Sequence, residues 1–294
     1  MKRIGFLLLT LLIIVLLGVG GMFGVGWYLN TAPDLSPITS QVKVEKGENL
    51  ASVAATLEEN GIIRSGTLLR LISRWKGTET GIKAGTYRFK EGMTAMEVHD
   101  LLLAGDQVLQ RVTIPEGWTM SRIAAHLAEQ GITPANGFLS AARNQDILDS
   151  YGIRAETAEG YLFPDTYFFP KEYEPERVVR KMISTFYENL REIAPESEGF
   201  SGDRIHDIVK LASIVEREYR QEKEAPLIAS VFKNRLEAGV GLDSCATVEY
   251  IITEIQGKDH PKFLTYDDLE IQSDYNTYRY RGLPPGPISN PGRI

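Results

Sequence analysis

Val42-Lys-Val-Glu-Lys-Gly47 leads into Leu50, Val53, Ala54 and Leu57 and closes on Asn60-Gly61-Ile62. Seventy residues further on, Val112-Thr-Ile-Pro-Glu-Gly117 leads into Met120, Ile123, Ala124 and Leu127 and closes on Gln130-Gly131-Ile132. Each copy alternates apolar and polar residues as a half-buried strand does, turns at a glycine, and then sets apolar residues at i, i+3, i+4 and i+7, the face of an amphipathic helix. The closing glycine stops such a helix. A partial third copy is Tyr87-Arg-Phe-Lys-Glu-Gly92 followed by Met96, Val98, Leu101 and Leu102. Two or three strand–helix units within residues 42–153 predict an α+β fold. The pattern is too short for a solenoid.

Working outward, the segment before the first copy is apolar from Ile4 to Leu29, with Lys2 and Arg3 ahead of it. At about 1.5 Å per residue that run reaches about 39 Å, enough to cross a hydrocarbon core of about 30 Å with tilt. The basic flank keeps the N-terminus in the cytoplasm and places the rest outside. Trp27 and Tyr28 stand where an interfacial aromatic anchor belongs. A cleaved signal peptide is the alternative, with small residues between Gly18 and Gly26. No cysteine follows the run, so a lipoprotein is excluded. Residues 1–30 therefore read as a cytoplasmic stub and transmembrane helix, and 31–41, with Pro33 and Pro37, as a linker. The strand–helix region is 42–153, and a last domain occupies 154–294.

Composition narrows the function. A net charge of -7 and a pI near 5.3 argue against a nucleic-acid partner, which needs a basic face. Cys245 is alone and cannot form an internal disulfide. The four histidines lack metal-ligand spacing, so no metal and no cofactor are expected.

In the last domain, Pro175 to Ile193 has the pattern of a long helix, and further helices are expected over 204–220 and 225–238. The segments beyond Gly239 are rich in Tyr, Asp, Asn, Gly and Pro, the composition of a binding surface rather than a core. On the helix containing Leu211-Ala-Ser-Ile-Val-Glu-Arg-Glu-Tyr219, about 100° per residue puts Ile205, Ile208, Val209, Leu211, Ala212, Val215 and Tyr219 on one face. Lys210, Ser213 and Arg217 fall on the other. Glu216 breaks this division by projecting inside the apolar arc, whereas Glu218 lies at its far margin, nearer solvent. Apolar surroundings disfavour a carboxylate anion, so Glu216 is a candidate general acid. The plainer alternative is a glutamate paired with an arginine such as Arg235. No second carboxylate can be picked out among 39 acidic residues.

The first strand–helix copy resembles a LysM-type β-α-α-β module, in which Trp75 and Tyr87 are the only candidate sugar platforms. A broader resemblance rests on five segments: Glu159-Gly-Tyr-Leu-Phe-Pro-Asp-Thr-Tyr167, Leu211-Ala-Ser-Ile-Val-Glu216, Val231-Phe-Lys-Asn-Arg-Leu236, Thr247-Val-Glu-Tyr250, and Tyr275-Asn-Thr-Tyr278 with Gly282-Leu-Pro-Pro-Gly286. In order and spacing these resemble the MltG/YceG-like family of endolytic murein transglycosylases. The resemblance implies a single-pass protein of the inner (cytoplasmic) membrane, with a LysM-like part and a lysozyme-like catalytic domain outside. Its implied partners are peptidoglycan glycan strands, the membrane and peptidoglycan synthases. It implies Glu216 as the catalytic residue, with Asn276, Thr277, Tyr278, Thr247 and Ser244 lining the substrate cleft. One carboxyl would suffice, protonating the leaving oxygen and then deprotonating the muramyl 6-hydroxyl to close a 1,6-anhydro ring.

Two departures from the family pattern stand out. Leu242-Asp-Ser-Cys-Ala-Thr247 puts the charge of Asp243 beside the cleft. The sequence also stops at Ile294, where family members continue, so the catalytic domain is expected to be C-terminally truncated. The alternative function is a truncated, non-catalytic scaffold binding peptidoglycan or synthases. Ordinary hydrolysis ranks below both, since it needs a positioned water and usually another carboxylate.

Overall fold

The computed structural model describes residues 2–33 and 39–293, and its chain divides into two units, one ending at Leu109 and the other beginning at Gln110. Part of the expected linker, residues 34–38, lies outside the described residues. The division falls within 42–153, so the two full copies of the strand–helix repeat belong to different units.

The first unit begins with α1 (Lys2–Asn30). Among the described residues, one helix is long and apolar enough to cross a membrane, Leu8–Asn30, with a mean hydropathy of 2.6. There follow β1 (Thr39–Val44), α2 (Leu50–Glu59), α3 (Gly66–Lys76), β2 (Gly85–Lys90) and α4 (Ala95–Ala104). β1 and β2 are antiparallel, with Val42 opposite Tyr87 and Val44 opposite Gly85. The helix starts are fixed locally. The side chains of Asn49 and Ser65 accept from the Ser52 and Leu68 N–H groups, and Thr94 and Glu97 form a reciprocal capping box. Val42, Val53, Leu57, Leu69, Phe89, Val98 and Leu102 make the core. Tyr87 is in that core, 0% exposed, so it is no sugar platform. Its hydroxyl donates to the Lys83 carbonyl at 2.6 Å, which is how a buried phenol is accommodated.

The second unit begins within β3 (Leu109–Thr113) and contains α5 (Met120–Glu129), α6 (Ala135–Ala141), α7 (Gln145–Ser150), β4 (Thr166–Pro170) and α8 (Pro175–Ile193). After these come α9 (Gly202–Glu218), α10 (Ala225–Glu237), α11 (Cys245–Tyr250), a wide π turn over Ile251–Ile255, and α12 (Tyr266–Leu269). β3 pairs with β4. α8 buries Val178, Val179, Met182, Ile183 and Phe186, the apolar stripe its sequence shows, against a core that includes Ile123, Leu127, Phe138, Tyr161 and Leu162. A second cluster, with Ile214, Val215, Phe232, Leu242, Ala246 and Ile288, joins α9, α10 and α11. The strand-to-helix glycines of all three sequence copies, Gly47, Gly92 and Gly117, have φ between +72° and +82°. Only glycine adopts that conformation without strain, which is why each copy turns there.

Part of the tail beyond Gly239 departs from the expected binding surface. Asn276, Thr277, Pro287, Ile288, Ser289, Asn290 and Pro291 are buried, despite their polar and proline-rich composition. Ile288 packs in the apolar cluster of α9 to α11, and hydrogen bonds to α9 and to neighbouring loops satisfy the buried polar groups.

Candidate active site

α9 carries the site residues on its last turn. The Ser201 side chain caps its N-terminus by accepting from the Arg204 N–H. The face it buries differs from the one its periodicity suggests. Ser213 and Ile214 are fully buried, while Ile208 is exposed and lines an open apolar groove of about 260 Å³ with Leu211, Ala212, Val215 and Pro226. Ser213 can be buried because the C-terminal segment satisfies it. The Ile288 N–H donates to Ser213 Oγ at 3.0 Å, and Ser289 Oγ donates to the Ser213 carbonyl at 3.0 Å.

Glu216 is half-buried and fixed at both oxygens. The Tyr219 hydroxyl donates to Oε1 at 2.7 Å, and the Gly292 N–H donates to Oε2 at 2.9 Å. Its Cγ lies against the turn at Gly117, where an added Cβ would stand 3.6 Å away. Burial pushes the Glu216 carboxyl above the usual carboxylate range, and the like charge of Glu116 adds to this. The bonds from Gly292 and Tyr219 oppose the shift without cancelling it. Each oxygen keeps a second lone pair, so the group can hold a proton and pass it on. Arg235 is not its partner. Arg235 donates to the Gly241 carbonyl at 2.6 Å and pairs with Asp243, which meets the charge expected to disturb the cleft.

Glu218, expected nearer solvent, is half-buried and accepts a hydrogen bond from Ser244 Oγ. Ser244 begins a closed network. Its N–H donates to Thr277 Oγ1 at 3.1 Å, Thr277 and Thr247 hydroxyls meet at 2.9 Å, and Thr247 Oγ1 donates to the Ser244 carbonyl at 2.7 Å. Asn276 donates to the Leu269 and Ile271 carbonyls at 2.9 and 2.8 Å and accepts from the Tyr278 N–H at 3.0 Å. Ser244, Thr247, Asn276 and Thr277 are thus buried and turned to protein. Of the five expected cleft residues only Tyr278 is half-exposed, its hydroxyl 3.1 Å from Cys245 Sγ. The last turn of α9 links this network, through Glu218, to Glu216.

The segment that reaches Glu216 also holds a second carboxyl that periodicity did not reveal. Glu159 is buried, accepts from the Met120 N–H at the start of α5 (2.9 and 3.0 Å) and from Asn290 Nδ2 at 2.7 Å. Burial pushes it up to about 8, with the charge of Glu254 contributing. Asn290 also accepts from the Leu162 N–H at 2.8 Å and donates to the Trp118 carbonyl at 2.9 Å. The Gly117 N–H in turn donates to the Asn290 carbonyl at 2.9 Å. One loop segment, 288–292, therefore ties α9, the start of α5 and the Glu159–Phe163 stretch together, and it ends on the Glu216 carboxyl. Among the described residues, no group of three or more His, Cys, Asp or Glu side chains is placed to hold a metal ion.

Residues 42–294 match the YceG-like family. The chain belongs to that family. Two curated relatives in the comparison are named endolytic murein transglycosylase. The one from Streptococcus pneumoniae serotype 2 strain D39 is 28% identical over 325 residues, covering 97% of this chain. That from Bacillus subtilis strain 168 is 28% identical over 293 residues, covering 93% of this chain and 79% of the relative. The chain spans 57% of the length of the pneumococcal relative. A crystal structure of a yceG-like protein from Listeria monocytogenes is similar in fold, with a TM-score of 0.53, 28% identity and 87% of each chain covered.

Proposed function

We propose that this chain is a membrane-anchored endolytic transglycosylase that cleaves the β-1,4 bond between N-acetylmuramic acid and N-acetylglucosamine in nascent peptidoglycan strands. Glu216 carries the reading: a half-buried carboxyl, oriented at both oxygens and held above the usual carboxylate range. Protonated Glu216 gives its proton to the leaving glucosamine oxygen as the C1–O bond breaks. The resulting carboxylate takes the proton of the muramyl 6-hydroxyl, whose oxygen bonds to C1 and closes the 1,6-anhydro ring. Glu216 ends protonated and no water is consumed. The hydrogen bonds from Tyr219 and Gly292 favour the anion needed between the two stages, and burial with Glu116 favours the acid needed at the first. The other carboxyl held high, Glu159, is sealed in protein and is a structural group here.

Tyr278 is assigned to the sugar, offering a ring face and a hydroxyl. Ser244, Thr247, Asn276 and Thr277 act as positioning residues that hold Tyr278 and Glu218. Residues 154–294 form the core of the transglycosylase domain. The β–α–α–β order of β1, α2, α3 and β2 supports a LysM-like spacer. The long apolar helix supports a single-pass anchor, with Lys2 and Arg3 on the cytoplasmic side of the inner membrane and peptidoglycan synthases as neighbours. The names of the curated relatives support the substrate class. Mass spectrometry of purified glycan strands treated with the protein tests the reaction. Products with 1,6-anhydro ends support it, whereas reducing ends, heavier by one water, would establish hydrolysis.

A further inference from the structure

The last turns of α1 are attached to the first unit by specific bonds. Asn30 Oδ1 accepts from the Met96 N–H at the start of α4 at 3.1 Å. Arg64 donates to the Tyr28 hydroxyl at 3.1 Å and to Thr31 Oγ1 at 3.2 Å, and its guanidinium stands 4.6 Å from the Tyr28 ring centre. Beside these contacts is an apolar cavity of about 430 Å³ lined by Met22, Phe23, Trp27, Leu68, Ile72 and Met96. Met22 to Asn30 covers about 12 Å of helix. A 23-residue span of about 35 Å exceeds a hydrocarbon core of about 30 Å by little. An anchored α1 therefore places α3 and the start of α4 at the boundary between acyl chains and headgroups.

The surface α3 presents there suits that level. Leu71 is 55% exposed, Trp75 82% and, on α4, Met96 40%. At about 100° per residue Leu71, Trp75, Leu68 and Ile72 occupy a continuous arc of about 100°, and the last two line the cavity. Arg70 and Arg74 follow on the adjoining flank, Arg74 in an exposed pairing with Glu79 at 3.4 Å. An apolar wedge with tryptophan, edged by arginines, is the composition of a helix lying in a membrane interface.

We propose that α3 is seated in the extracytoplasmic leaflet, Leu71 and Trp75 among the acyl chains and Arg70 and Arg74 at the lipid phosphates. This rests on the membrane-anchor reading of α1. Its consequence is that the first unit is pinned to the bilayer surface rather than carried on a free tether. Trp75 is then a lipid contact and not a platform for sugar rings.

The test uses the full chain with Cys245→Ser, reconstituted in phosphatidylcholine–phosphatidylglycerol vesicles, with single spin labels at Leu12→Cys, Leu71→Cys, Trp75→Cys and Glu59→Cys. Collision with oxygen and with a water-soluble nickel complex reports depth. The proposal expects labels at 71 and 75 to be shielded from nickel as the label at 12 is, while the label at 59 is not. If 12 is shielded and 71 and 75 match 59, the anchor stands and the docking of α3 is overturned. If 12 itself is in water, the anchor reading falls and the docking with it. If 71 and 75 are in water and Trp75→Ala abolishes sedimentation of the full chain with purified sacculi, the face binds glycan instead.

Discussion

Replacing Asn290 with alanine should unfold much of the site without touching a reacting group. Its side chain makes three hydrogen bonds, to the Leu162 N–H (2.8 Å) and Glu159 Oε1 (2.7 Å), both buried, and to the half-buried Trp118 carbonyl (2.9 Å). The losses are unequal. The Trp118 carbonyl keeps the Asn290 backbone N–H at 2.9 Å, and Glu159 keeps the Met120 N–H. The Leu162 N–H is orphaned, which costs about 1–3 kcal/mol, and the two other bonds contribute about 1 kcal/mol each. The expected destabilisation is about 3–5 kcal/mol, a large part of a typical domain stability of about 5–15 kcal/mol. Guanidinium unfolding in detergent, followed by tryptophan fluorescence, would read it. Asn290→Asp should also destabilise, since it keeps an acceptor for Leu162 but loses the donor to the Trp118 carbonyl and puts a carboxyl in a buried position. A loss below about 1 kcal/mol in Asn290→Ala would refute the view that segment 288–292 ties the unit together.

Gly160→Ala should destabilise by about 2–4 kcal/mol, because φ is +86° and the new Cβ would lie 2.6 Å from Pro287 and Val209 atoms; an unchanged melting temperature would contradict this packing. Glu159 holds its proton in the folded chain up to about pH 8 but loses it in the unfolded chain near pH 4.5. Its contribution is therefore complete below about pH 4.5 and fades as pH rises towards 8, by at most about 1.4 kcal/mol per pH unit. Unfolding curves at several pH values should show that slope, and Glu159→Gln should remove it. Tyr219→Phe deletes a donor to the Glu216 anion. It should slow cleavage about tenfold, roughly 1.4 kcal/mol, and move the alkaline limb of the activity profile to higher pH; an unmoved limb would count against Glu216 as the titrating acid.

What could be read in advance follows the range of the interactions. Strand alternation and helix periodicity are local, so the strand–helix copies appear where expected and α8 runs from Pro175 to Ile193 as its apolar stripe indicates. Glu216 stood out because a carboxyl broke a helical pattern. The direction in which α9 faces was not legible, because Ser213 is buried by bonds from Ile288 and Ser289, residues in a loop without periodicity. The same holds for Glu159, which accepts from the N–H that starts α5. A carboxylate 39 positions away from the N–H it accepts leaves no spacing signal, although such a group is suited to a helix N-terminus. The four buried members of the expected cleft set, Ser244, Thr247, Asn276 and Thr277, were found by resemblance. Their hydroxyl and amide groups read equally well as sugar ligands or as the internal bonds they make here.

In the proposed reaction the Glu216 carboxyl both gives and takes the proton. Wild-type, Glu216→Gln and Glu218→Gln chains should be incubated with purified glycan strands and the new ends weighed by mass spectrometry. Wild type should give 1,6-anhydro ends, Glu218→Gln most of that yield, and a folded Glu216→Gln chain none. Continued 1,6-anhydro product from Glu216→Gln, or equal loss in both variants, would contradict it.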